Sequence, residues 1–148
     1  MKKIGTYIIV LLTLSLIILG FKFVESQNQR KELQSSIDNS FRYEISNVLQ
    51  SFSMVVNDYT YRSMISSVSN AAAISELTSF EKLNDDLDIS LNQLYISLRE
   101  ERSKDKVLSR IEELREIFSM LVRDPISHEA TDRIIQINND TFFNTKEE

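Results

Sequence analysis

Glycine and proline are almost missing from this chain, and their placement limits what it can fold into. In 148 residues there are two glycines, Gly5 and Gly20, and one proline, Pro125. A sheet-rich fold of this length turns on many Gly, Pro and Asn-Gly corners, so an all-β or Rossmann-type architecture is all but excluded. A helical chain needs few of them. The chain is equally short of reactive side chains. It has no cysteine, which removes a disulfide framework, a thiolate zinc site, a cysteine nucleophile and a cysteine-linked lipid anchor. His128 is the single histidine, so one chain cannot assemble a multi-histidine metal site.

Both glycines lie in one uncharged stretch, Ile4 to Phe21, which holds 18 residues. As a helix it is roughly 27 Å long, close to a hydrocarbon core of about 30 Å. Lys22 can snorkel, so Phe23 and Val24 extend the stretch into the interface. The expectation is a single transmembrane helix over 4–24 behind a short basic tail, 1–3. A cleaved signal peptide is the competing reading. The apolar region is longer than such peptides use, and no Ala-x-Ala site follows, so an uncleaved signal-anchor is favoured. Lys2 and Lys3 face Lys22, Arg30 and Lys31 across the span, a nearly balanced count. An apolar start directly behind Lys-Lys favours an inside amino end. The cell membrane, single-pass, with the carboxyl-terminal domain extracytoplasmic, is the expected location.

Beyond Phe21 stand all 22 acidic residues and 15 of the 17 basic ones, a balance of −7. The basic residues are scattered among acids, so no stripe would track a phosphate backbone, and nucleic acid is not expected as a partner.

The same region carries helical periodicity. Leu33, Ile37, Phe41, Ile45, Val48, Phe52, Val55 and Tyr59 step by three or four. The mean step exceeds the 3.5 of a left-handed coiled coil, so the row fits a bundle helix better than a zipper. No Gly or Pro parts it from the apolar stretch, which predicts one long helix. Asn57 to Thr60 has poor helix propensity and predicts a turn or kink. A second helix carries Met64, Val68, Ala71 or Ala72, and Ile74 or Leu77. Thr78 to Glu81 has capping-box spacing and predicts the start of a third, with Leu83, Leu87, Leu91, Leu94 and Leu98. Arg99 to Lys106 reads as a charged turn. A fourth helix shows Leu108, Ile111, Leu114, Ile117 or Phe118, and Leu121. Asp124 as N-cap and Pro125 at the first helical position predict a short fifth helix with Ile126, Ala130, Ile134 and Ile137. From Asn138 to Glu148 the chain reads as a frayed polar ending despite Phe142 and Phe143. The sum is an all-α fold: the membrane helix, then an antiparallel bundle over 25–140 of about four helices plus a short last one, and a polar tail, 141–148.

Each candidate for chemistry has a plainer use. A di-iron bundle needs Glu-x-x-His on two helices, and Pro125 stands three residues before His128. Asn84-Asp85-Asp86-Leu87-Asp88 lacks the glycine of a calcium loop and fits a solvated acidic helix start. Glu112, Glu113 and Glu116 alternate with Arg110 and Arg115 at pairing distance on a helix. Ser63 to Ser79 is rich in Ser and Ala and suits close helix packing. Asn139-Asp140-Thr141 is a lone glycosylation triplet. No catalytic residue, cofactor or metal is expected, and the chain reads as a non-enzyme.

The amino-terminal Lys-Lys, Gly5 and the apolar run resemble a type IV pilin leader, but Val10 stands where that family carries an acidic residue. One anchor followed by a helical bundle resembles, in architecture alone, the sensory half of bacterial chemoreceptors and histidine kinases. Neither carries a motif that assigns a family. Two functions fit. One is protein–protein interaction at the membrane surface, as scaffold, accessory subunit or regulator, with a protein partner or a second copy. The alternative is a bundle that senses a small molecule and signals through a partner. For either, Tyr59, Tyr61 and Arg62 are the candidate contacts.

Overall fold

The computed structural model describes residues 2–141, with side chains from 11 onward. Among the described residues all regular structure is helical. The elements are α1 (Lys2–Phe52), α2 (Asp58–Ser75), a single 3-10 turn (Glu81–Leu83), α3 (Asp86–Arg99), α4 (Glu101–Leu108), α5 (Ile111–Arg123) and α6 (His128–Thr141). The long first helix is the one predicted from the missing Gly and Pro. The chain forms two compact units, one up to Ser36 and one from Ile37.

In the first unit every described side chain from 11 to 33 is exposed. Its local order is helical only: the Ser15 hydroxyl donates to the Leu11 carbonyl, and Lys22 pairs with Glu25 at 2.8 Å. Among the described residues no helix is long and apolar enough to cross a membrane. The expected span, 4–24, begins with residues whose side chains lie outside the described ones. Its remainder, 11–24, is shorter than the roughly 20 apolar residues a span requires.

The second unit is a bundle closed around one core. Phe41, Ile45, Val48 and Phe52 of α1 meet Met64, Val68 and Ala71 of α2 and Leu87, Leu91, Leu94 and Leu98 of α3. Val107 of α4, Leu114, Ile117, Phe118 and Leu121 of α5, and Ala130, Ile134 and Ile137 of α6 complete it. Phe52 stacks on Phe118 with ring centroids 5.5 Å apart. Burying each such side chain stabilises the fold by about 1.5–3 kcal/mol. The small-residue stretch permits close packing as expected, with the Ser51 and Ser67 hydroxyls 3.2 Å apart between α1 and α2. Two buried amides fasten α6: Asn84, just ahead of α3, donates its Nδ2 to Thr131 Oγ1 of α6, and Asn138 Nδ2 of α6 donates to the Ser90 carbonyl of α3, both at 2.8 Å.

The boundaries differ from expectation in instructive ways. The break after α1 comes at Ser53, and Asn57 to Thr60 is the start of α2. Asn57 Oδ1 accepts from the Tyr59 and Thr60 amides, and Thr60 Oγ1 accepts from the Asn57 amide at 2.8 Å, a reciprocal capping box. The expected box at Thr78 is not made. The Thr78 hydroxyl donates back to the Ser75 carbonyl, and α3 begins only at Asp86, so Leu83 stays exposed. The stretch Arg99 to Lys106 is not a turn: α4 occupies most of it, held by buried Val107 and by Ser103 Oγ donating to the Ser97 carbonyl at 3.0 Å. Asp124 does not cap α6. Its carboxylate accepts from the Ile126 amide in a local turn, and Ser127 Oγ accepts from the Ala130 amide instead. Asn138 to Thr141 is not frayed, because Asn138 and Thr141 are buried within α6; the tail residues 142–148 lie outside the described ones. At the other end, Leu33, Val55 and Tyr59 leave the predicted stripe and are exposed.

Candidate functional site

The residues singled out from sequence do not converge on a cavity. Tyr59 is 80% exposed, and Arg62 is exposed as well. Tyr61 is half-buried. Its hydroxyl donates to the Leu98 carbonyl, and the Lys104 ammonium lies 4.5 Å from its ring centroid. Burial holds the Tyr61 phenol above its ordinary pKa; Lys104 opposes this, while Glu101 and Asp105 add to it. That is a packing role, tying α2 to α3 and α4. His128 is exposed at the start of α6. Among the described residues no group of three or more His, Asp or Glu is placed to hold a metal.

The glutamates of α5 are engaged in ion pairs. Arg110 reaches Glu113 at 2.7 Å and Asp140 at 2.6 Å, which joins α5 to α6, and the Glu113 hydrogen bond raises the Arg110 pKa. Arg115 meets Glu112 at 2.6 Å, and Arg133 meets Glu116 at 3.1 Å. In the acidic stretch before α3, Asn84 is buried and structural, so that segment is not wholly a solvated face. It borders a cavity of only about 10 Å³, the size of one water.

Two surface features were not read from sequence. The first is the connection from α1 to α2, where Met54, Val55 and Val56 are all exposed, Val55 by 84%, with exposed Tyr59 at the start of α2. Three consecutive exposed apolar residues cost solubility and gain nothing for the fold. The second is a groove of about 560 Å³ within the bundle unit, where the end of α1 meets α5 and α6. Leu49 and Met120 line it with the guanidinium groups of Arg115, Arg123 and Arg133. A signal for the first was present in the sequence, since Met54-Val55-Val56 precedes a helix-poor segment. The groove had none, because its residues come from three distant places in the chain. Compared with known protein families, with curated proteins and with solved structures, the chain has no match.

Proposed function

We propose that this is a single-span membrane-anchored protein, with residues 4–24 in the bilayer and the bundle on the extracytoplasmic side. It performs no chemistry of its own and works by contact with another protein at the membrane surface. The observation that carries the contact reading is the exposed apolar connection Met54-Val55-Val56 with Tyr59, on a unit whose other large apolar side chains mostly pack inward. Exposed apolar residues gathered at one place mark contact sites more often than singly scattered ones. The anchor is supported by the uncharged stretch and by Leu11 to Leu19, whose apolar side chains the chain leaves uncovered. Tethering raises the effective concentration of the bundle near other membrane proteins without any new contact.

A photo-crosslinker in place of Met54, in the full-length chain in native membranes, tests this reading. The expected result is one discrete protein adduct that disappears when Val55→Asp and Tyr59→Asp are added. The same crosslinker at the exposed Glu112 serves as the comparison and should give none. An unchanged adduct in the double variant, or equal adducts at both positions, would refute a contact through this connection.

A further inference from the structure

The groove between the end of α1, α5 and α6 combines an apolar floor with guanidinium groups, and their hydrogen bonds differ in a telling way. Arg115 is fixed from behind, Nη1 on Glu112 and Nη2 on the Phe52 carbonyl at 3.1 Å. Its Nε–H is buried and has no partner. Arg133 spends one nitrogen on Glu116 and touches Met120 sulfur with the other. Arg123 sits on the same face of α5 as Arg115, two turns away, about 12 Å along the axis. Its Nε donates to the Ser119 carbonyl, and its two terminal nitrogens meet no carboxylate among the described residues. The groove thus holds the two terminal nitrogens of Arg123, the buried unpartnered Nε–H of Arg115, and Leu49 with Met120, while its one carboxylate, Glu116, is engaged by Arg133. The volume, about 560 Å³, is in the range of small-molecule sites.

We infer that this groove binds a small organic carboxylate with an aromatic or aliphatic body, its carboxylate on Arg123 and its body against Leu49 and Met120. The chain as a whole is acidic, −5, so a cationic ligand would be drawn to most of its surface, whereas an anion finds its complement here. Arginine favours a carboxylate because its planar fork matches the two oxygens. The inference is independent of the contact through Met54 to Tyr59. It gives the small-molecule-sensing alternative a site other than the tyrosine cluster.

Calorimetry on the full-length chain in nanodiscs, with empty nanodiscs subtracted, tests it using naphthoate as the probe and naphthamide as its neutral counterpart. Naphthoate should bind saturably, and naphthamide about tenfold more weakly, the worth of one charge-assisted hydrogen bond. Arg123→Gln should weaken naphthoate by about the same factor and leave naphthamide unchanged. Arg123 is exposed, so the variant should unfold like the parent; circular dichroism checks this. Absence of saturable naphthoate binding, equal affinity for acid and amide, or no effect of Arg123→Gln would each overturn the assignment. So would a second copy of the chain seated on the groove, seen as a disulfide-linked dimer through Ser119→Cys.

Discussion

Two stretches of α1 both carry large apolar residues and meet opposite fates. Leu16, Phe21 and Phe23 are exposed by 69%, 74% and 66%, while Phe41, Ile45 and Val48 are fully buried. The backbone is helical in both, so helix formation does not account for the contrast. Arrangement does. From Leu11 to Phe21 apolar residues surround the helix on every side, whereas from Ile37 to Phe52 they form one stripe with Arg42, Glu44 and Gln50 between. A stripe can be satisfied by neighbouring helices of the same chain. A helix apolar all round needs a surrounding apolar medium.

The largest expected effect tests that contrast at its strongest point. Phe118→Ala opens a hole beneath the Phe52 ring and should cost about 3–5 kcal/mol in urea unfolding of the full-length chain. Phe21→Ala should move the same transition by less than about 0.5 kcal/mol. Equal losses would mean that the first stretch packs on protein after all. Next, Asn57→Ala removes the reciprocal cap that restarts the helix after Ser53 and should cost about 0.5–2 kcal/mol.

Tyr61→Phe comes third, at about 0.5–1.5 kcal/mol from the lost hydrogen bond to the Leu98 carbonyl. It also sharpens the comparison through pH. Burial raises the Tyr61 pKa, so the folded state holds the phenolic proton more tightly than the unfolded chain does. That contribution is complete below about pH 10 and is lost as pH rises through the folded value. Stability of the parent should therefore fall in that window more steeply than that of Tyr61→Phe. Smallest is Glu25→Gln, which breaks the exposed pair with Lys22 and should change unfolding by under about 0.5 kcal/mol.

What the sequence made legible follows from the same distinction. The stripes of α1, α3 and α5 were readable because their apolar residues recur every three or four positions, and the middle of each stripe is buried while Leu33, Val55, Tyr59 and Leu83 at the ends are exposed. Failures occurred where periodicity is silent. In α4 only Val107 and Leu108 are apolar, and its place in the fold depends on a serine, Ser103, that anchors to the Ser97 carbonyl. At α6, Asp124 and Ser127 are both good caps, and the buried Pro125 leaves Asp124 a turn and Ser127 the helix start. Val55 and Tyr59 continued the stripe of α1 on paper. The break at Ser53 turns them outward. The arginine groove was illegible because Leu49, Arg115 and Arg133 meet only once the helices are packed.

The chain's own helices cover the second stretch of α1, and we propose that a bilayer covers the first. Alkaline carbonate extraction of membranes containing the protein separates a spanning helix from one that merely adheres. The intact chain, its amino terminus uncleaved, should stay in the membrane pellet through high-salt and carbonate washes. Recovery in the supernatant, or a mature terminus at Gln27, would contradict it.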